Sequence, residues 1–211
     1  MSAGYVTAAE MQEQLGGIPL ERIRMVPPPG TATEEDALRV QDAEGRTCEV
    51  LDGILVEKAM GFFEAYVASK LLIALGRYLK DRDLGIAVGP DGLIRLSAGR
   101  LRAPDVAYIS WNKLPGRKIP DAPVPALVPD LAVEVLSKGN TCKEMETKLD
   151  EYFAAGVRSV WIIDPQRLAA RTYRARDAVE DVGAEGSLQS PELLPGFSLS
   201  LTSLFDRAGN R

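Results

Sequence analysis

The sequence predicts a mixed α/β fold in which helices cover a central sheet. Short β-rich runs joined by turn residues fill residues 48–110, which is typical of antiparallel strands. Between residues 131 and 164, an apolar strand, an amphipathic helix and a second apolar strand follow one another. Such a βαβ unit forms a parallel pair of strands, so the sheet is expected to be mixed.

The first 33 residues are predicted to be a helical extension, and the domain itself is predicted to span residues 34–206. Thr7 and Glu10 have the spacing of a capping box, which predicts a short helix at the start. A triple proline followed by a glycine separates this helix from a second short helix that begins at about Glu34.

The next elements alternate strands with one long helix. Asp52-Gly53 joins two β-rich runs and is a strong signal for a two-residue hairpin turn. Apolar side chains recur every three or four residues over 61–80, which predicts a helix. A strand–turn–strand pattern surrounds residues 90–92, and a further strand begins at Pro104.

The second half of the domain contains the βαβ unit. Residues 111–129 form a proline-rich loop whose length marks it as a candidate functional segment. A strand over 131–137, a helix over 142–155 and a strand over 160–164 follow. The alternating segment AARTYRA, residues 169–175, is predicted to be an edge strand.

The composition restricts the chemistry. The 211 residues are 45% hydrophobic and 26% charged, as in an ordinary globular protein, and include no histidine. Ser-His triads and His-ligated zinc sites are therefore excluded, and catalysis must use carboxylates, lysines, tyrosines or a hard metal ion. A net charge of −5 argues against coating nucleic acid by bulk electrostatics, although a local basic cleft remains compatible with it.

The sequence also indicates a location. No apolar run approaches the roughly 20 residues that a membrane span needs. The first residues lack the basic and apolar regions of a signal peptide, so the expected location is cytoplasmic. Cys48 and Cys142 are then expected to be free thiols.

Two carboxylates lie in apolar strands. Glu134 interrupts the buried run that surrounds it, and an unpaired buried carboxylate costs several kcal/mol. A basic side chain or a metal is therefore expected beside it. Asp105 follows Pro104 at the start of another apolar strand. Alone, Asp105 also fits a turn residue, and Glu134 also fits a rim residue with a salt-bridge partner.

Lys148 is the candidate cation for Glu134. It borders the apolar stripe of the helix at 142–155, three residues after Met145 and four before Tyr152. Because this helix packs on the sheet that contains Glu134, Lys148 can reach the carboxylate. Alternatively, its stem runs along apolar surface to water.

Further acids extend the candidate site. Glu64 lies seven residues before Leu71, on the buried stripe of the long helix. Glu49 is a weaker candidate, because a solvent-facing position also fits it. Acids from separate elements, tilted inward with one lysine, favour a hard cation such as Mg²⁺, which takes oxygen ligands and keeps several waters.

The order of these residues resembles a nuclease pattern. Asp105 after Pro104, then Glu134 inside an apolar strand, resembles the PD-(D/E)XK motif. The stretches APDVAYIS, PDLAVEVLSKGNT, KLDEYFAAGVRSVWIIDP and LLPGFSLSL resemble the Uma-two family of restriction-endonuclease-like proteins. The position of the motif lysine is Leu136 here, and the resemblance implies that the lysine has moved to Lys148.

The resemblance implies a restriction-endonuclease-like fold with Asp105 and Glu134 on adjacent strands. It also implies metal-dependent hydrolysis of DNA phosphodiester bonds. Asp105 and Glu134, with Glu64 completing the shell directly or through a water, would hold Mg²⁺ or a substituting Mn²⁺. Lys148 would orient the attacking water or stabilise the charge growing on the phosphate. The alternative is a catalytically silent module of the same fold that binds nucleic acid or a protein. Restriction-like folds often act in pairs, so a homodimer is compatible with the resemblance, although no apolar stripe predicts an interface.

Overall fold

The computed structural model describes residues 7–207 and confirms the mixed α/β class; residues 1–6 of the predicted extension and 208–211 lie outside the described residues. The helices are α1 (Ala8–Gln14), α2 (Glu34–Glu44), α3 (Phe62–Lys80), α4 (Cys142–Ala155) and α5 (Leu201–Phe205). The strands are β1 (Cys48–Leu51), β2 (Ile54–Glu57), β3 (Gly85–Val88), β4 (Ile94–Ser97), β5 (Arg100–Arg102), β6 (Val106–Ser110), β7 (Leu131–Val135), β8 (Ser159–Asp164), β9 (Ala169–Ala175), β10 (Ala178–Val182), β11 (Ser187–Leu188) and β12 (Leu199–Ser200).

The central sheet has six strands in the order β10-β9-β8-β7-β6-β3. β7 and β8 are parallel and are connected through α4, as the βαβ pattern predicts, while the other pairs are antiparallel. The prediction that residues 169–175 form an edge strand is wrong, because β10 pairs on the outer side of β9. Only Val182 of β10 is buried, so this strand lacks the apolar alternation that would have revealed it.

A second sheet, which the sequence did not predict, has the order β2-β1-β5-β4. The hairpin of β1 and β2 turns at Asp52 and Gly53, whose φ values of 49° and 77° fit a two-residue hairpin turn. The strands on either side of residues 90–92 separate, since β3 joins the central sheet and β4 pairs with β5. The chain passes from β5 to β6, and so from one sheet to the other, through residues 103–105.

Helices cover both faces of the central sheet. Val133 and Val135 of β7 pack in one cluster with residues of α3 and α5, whereas Ala132 packs in another with Met145 and Leu149 of α4. Side chains alternate along a strand, so Glu134 faces α4. None of the helices within residues 7–207 is long and apolar enough to cross a bilayer.

The N-terminal segment is fastened to the rest of the fold. Met11, Leu15 and Ile18 pack in a buried cluster with residues of the β1–β2 hairpin. The guanidinium of Arg22 donates two hydrogen bonds, of 3.0 and 2.9 Å, to the buried carboxylate of Glu144 in the first turn of α4. The boundary between extension and domain at residue 33 stays a prediction.

The ion pair between Arg22 and Glu144 should contribute strongly to the stability of the fold. Arg22→Ala is expected to lower the free energy of unfolding by about 3–5 kcal/mol at neutral pH, because Glu144 would stay buried without its cation. Urea denaturation measures the loss. The control is Arg39→Ala, since the side chain of Arg39 is 69% exposed in its pair with Asp36 and should contribute at most about 1 kcal/mol.

The contribution of the Glu144 carboxylate to the free energy of unfolding should depend on pH. Burial opposes its ionisation, but the hydrogen bond and charge of Arg22, the charge of Lys148 and a hydrogen bond from Asn140 together outweigh burial and lower the pKa of the Glu144 carboxyl. Its stabilisation is therefore present above the unfolded pKa of about 4.3 and is lost as pH falls through the folded pKa. The difference between wild type and Arg22→Ala should shrink in acid, and a difference that is constant down to about pH 3 would contradict this assignment.

Candidate active site

Asp105 and Glu134 meet where β6 and β7 lie side by side. Val106 pairs with Val133, and the backbone N–H of Asp105 donates to the carbonyl of Val133 at 2.9 Å. The Asp105 Oδ2 accepts a hydrogen bond of 2.6 Å from the backbone N–H of Val135. Asp105 therefore lies immediately before β6, beside Glu134 of the adjacent strand β7, and both side chains are buried.

Lys148 reaches Glu134 from α4, as the helical spacing predicted. Its Nζ lies 2.9 Å from Glu134 Oε2. The hydroxyl of Tyr152, one turn further along α4, donates to Glu134 Oε1 at 2.5 Å. The sequence identified Tyr152 only as an apolar residue of the stripe, because the direction of its hydroxyl depends on the packing of α4 against β7.

Glu49 belongs to the same cluster, and the suggestion that it faces solvent is wrong. The residue is 1% exposed, and its Oε1 lies 3.3 Å from Lys148 Nζ. Its Oε2 accepts a hydrogen bond of 2.7 Å from Arg102, which also pairs with Glu151. Glu49 comes from β1 of the small sheet, so its burial results from the contact between the two sheets.

Lys58 is a cation of the site that sequence reasoning missed. Its Nζ lies 2.8 Å from Asp105 Oδ1. It also donates to the carbonyl oxygens of Ala103 at 2.6 Å and Pro90 at 3.2 Å. Lys58 follows the end of β2, and no local pattern marks it, because its partners come from the connection between the sheets and from the loop after β3.

The two acids that share Lys148 have opposite electrostatic environments. Burial raises the pKa of Glu134, and the nearby Asp105 and Glu49 carboxylates add to this effect against the attraction of Lys148. For Glu49, burial also opposes ionisation, but Lys148 and Arg102 outweigh it and lower its pKa. Glu49 is therefore the firmly ionised partner of Lys148, while Glu134 is the acid more easily neutralised.

Lys148 and Tyr152, both on α4, are held in their ordinary protonation states. Burial alone would lower the pKa of Lys148, but Glu134 and Glu49 reverse the effect and raise it. Burial and the adjacent Glu134 carboxylate raise the pKa of Tyr152 well above its usual value. Lys148 thus stays charged and Tyr152 stays a hydrogen-bond donor at neutral pH.

Glu64 is not joined to this cluster. It lies half-buried in the first turn of α3, and its carboxylate makes no hydrogen bond or ion pair with any residue that the structure describes. The buried stripe of α3 packs on the face of β7 opposite Glu134. The structure therefore gathers Asp105, Glu134 and Lys148, and the participation of Glu64 stays a prediction.

The donor chemistry of the Asp105–Glu134 pair fits a hard divalent cation. Across residues 7–207, no group of three or more Asp, Glu, Cys or His side chains is arranged to hold a metal. Mg²⁺, however, is typically held by one or two carboxylates together with substrate phosphate oxygens. The ammonium groups of Lys58 and Lys148, at 2.8 and 2.9 Å, show that each carboxylate already attracts a cation.

A solved structure shares this fold. The chain is similar to a protein described as a "putative nuclease belonging to DUF820 from Anabaena variabilis ATCC 29413", with a TM-score of 0.66 and 18% sequence identity. The similarity covers 75% of this chain and 89% of the other. At this identity the likeness establishes the fold alone, which is a mixed α/β fold.

The family follows from the sequence. The family model described as "Uma2: Putative restriction endonuclease" matches residues 34–202, well over half of the chain. The chain therefore belongs to the Uma2 family, as the motifs around Asp105 and Glu134 indicated. A comparison with curated proteins gave no match.

The hydroxyl of Tyr152 provides a test of the cluster. Tyr152→Phe is expected to lower the free energy of unfolding by about 1.5–3 kcal/mol, because hydrogen bonds to charged groups contribute about this much. Chemical denaturation measures the loss. Tyr173→Phe is the matched control, because Tyr173 is buried in the same apolar cluster and its hydroxyl makes no hydrogen bond within residues 7–207. Equal losses in the two variants would contradict a special role for the Tyr152–Glu134 contact.

Proposed function

We propose that the chain is a metal-dependent endonuclease that hydrolyses phosphodiester bonds in DNA. The observation that carries this proposal is the meeting of Asp105 and Glu134 from neighbouring strands, with the ammonium of Lys148 at 2.9 Å from Glu134. Membership of the Uma2 family supports a nuclease-like function. The family's description as a restriction endonuclease favours DNA as the substrate.

In this proposal Asp105 and Glu134 hold Mg²⁺, or Mn²⁺ in its place. When bound, such an ion polarises the phosphate and lowers the pKa of the attacking water. Lys148 keeps Glu134 in position and supplies a positive charge that stabilises the charge growing on the phosphate.

The groups around the two acids serve to orient them. The backbone N–H of Val135 fixes one oxygen of Asp105, and the hydroxyl of Tyr152 fixes one oxygen of Glu134. Such outer partners commonly set the orientation of metal-binding carboxylates and are nearly as important as the ligands themselves. These contacts support a preorganised pair of acids.

A second candidate is a catalytically silent module that binds nucleic acid or a protein partner. It is favoured by the fact that all four carboxylate oxygens of Asp105 and Glu134 already have protein partners. The two side chains are also only 4% and 6% exposed. On this reading, the same ion pairs only stabilise the contact between the sheets.

Substitution of lysines distinguishes these candidates. Lys148→Ala is expected to abolish cleavage, because it removes the positive charge beside Glu134. Lys138→Ala and Lys143→Ala should retain most activity, because both lysines are exposed and neither contacts the cluster. Initial rates of DNA cleavage by the three folded variants make the comparison. Equal losses at all three positions would show that Lys148 has no particular role.

The substrate and the metal can be tested together. Plasmid DNA should be cut in the presence of Mg²⁺ or Mn²⁺ and left intact with a chelator. Binding to duplex DNA should weaken steeply as salt increases, because each neutralised phosphate releases counterions. Plasmid that remains uncut across divalent metals, at low salt and high protein concentration, would favour the silent module.

Thermal stability tests the metal ligands without any substrate. A ligand at about 100 times its Kd stabilises the native state by roughly 2.7 kcal/mol, which for a domain near this size is about 5–10 °C in Tm. Wild type should gain this shift with Mn²⁺. Glu134→Gln and Asp105→Asn should lose most of it, and equal shifts in all three proteins would exclude these acids as ligands.

A further inference from the structure

Lys58 and Lys148 differ in their exposure and in the number of acids around them. The ammonium of Lys148 is enclosed between Glu134 and Glu49, and its side chain is 3% exposed. The ammonium of Lys58 contacts Asp105, and its side chain is 9% exposed. Lys58 thus lies at the boundary of the cluster, whereas Lys148 lies inside it.

Lys58 also borders open space. Together with Pro90, Asp91 and Thr47 it lines a cavity of about 300 Å³. Two of the oxygens to which its Nζ donates are the carbonyls of Ala103 and Pro90, and Pro90 is part of the cavity wall. An amino group displaced from Asp105 toward this cavity would still have the carbonyl oxygen of Pro90 as a hydrogen-bond acceptor.

Electrostatics couples this lysine to metal binding. A divalent cation that binds Asp105 would share the carboxylate with an ammonium now 2.8 Å from Oδ1. Like charges at such separations repel strongly where water is largely excluded. Without a metal, however, the buried carboxylate of Asp105 needs a positive partner.

We propose that Lys58 is the exchangeable cation of this site. Its ammonium neutralises Asp105 until a divalent metal binds, and then withdraws toward the cavity. This inference rests on the proposed metal-dependent function and adds a positioning residue to it. Its consequence is that Lys58 weakens metal binding in proportion to the strength of its own contact with Asp105.

Calorimetric titration with MnCl₂ tests the inference on the complete protein. Lys58→Gln removes the charge but keeps a donor for Asp105, so it should bind Mn²⁺ about tenfold more tightly or better. Lys58→Arg keeps the charge and should bind within about threefold of wild type. Lys113→Gln is the matched control: Lys113 lies 3.5 Å from the buried Asp130, away from the cluster, and its loss should leave the affinity unchanged.

A second measurement needs no variant. An amine-reactive reagent, followed by mass spectrometry of peptides, reports how accessible each lysine is in wild type. Labelling of Lys58 should increase when Mn²⁺ is added, because its ammonium has left Asp105 for the cavity. Labelling of Lys148 should stay low in both states, because this lysine remains enclosed by Glu134 and Glu49.

The outcomes separate the inference from the proposed function. Tighter Mn²⁺ binding by Lys58→Gln, or metal-dependent labelling of Lys58, supports the exchange. If wild type binds Mn²⁺, but Lys58→Gln binds equally or less tightly and the labelling of Lys58 is unchanged, the exchange is wrong and the metal-dependent function stands. If wild type, Lys58→Gln and Lys58→Arg all fail to bind Mn²⁺, the metal-dependent function is wrong and the exchange with it.

Discussion

The structure depends on one buried ammonium group that two carboxylates share. Lys148 Nζ lies 2.9 Å from Glu134 and 3.3 Å from Glu49. Glu134 belongs to the central sheet, Glu49 to the small sheet and Lys148 to α4, so this contact joins three layers of the fold. Breaking a buried pair by removing one partner typically costs about 3–5 kcal/mol, because the other charge stays buried. The cluster therefore constrains how the two sheets meet.

Local patterns in the sequence were enough to predict the contact between Glu134 and Lys148. Alternation along β7 placed Glu134 on the face that α4 covers, and helical spacing placed Lys148 over it. Both elements have the predicted type, and the contact between them is observed. These residues lie within one βαβ unit, whose handedness and packing vary little among proteins.

The rest of the cluster depends on tertiary structure. Glu49, Lys58 and Arg102 come from the small sheet and its connections, and their partners lie on other elements. A single strand sequence does not show which second sheet will cover it, so Glu49 looked equally suited to solvent. The same limit explains the wrong edge assignment of β9, since its outer neighbour β10 is mostly exposed and carries almost no apolar signal.

The ion pairs Lys58–Asp105 and Lys148–Glu134 must serve two requirements. They stabilise acids that lie in apolar surroundings, and in the proposed function two of these acids must also accept a metal. An ammonium that can withdraw from Asp105 reconciles the two, whereas fixed ion pairs would fit a silent module. The fold and the Uma2 family are compatible both with a site that accepts a metal and with a silent module.

The most direct test of a metal site at Asp105 and Glu134 is the anomalous diffraction of a crystal soaked in Mn²⁺. One anomalous peak is expected about 2.1 Å from carboxylate oxygens of both acids, with Lys58 displaced from Asp105. A soaked crystal in which both lysines keep their ion pairs, and no peak lies near either acid, would contradict the central claim that these acids form a metal site.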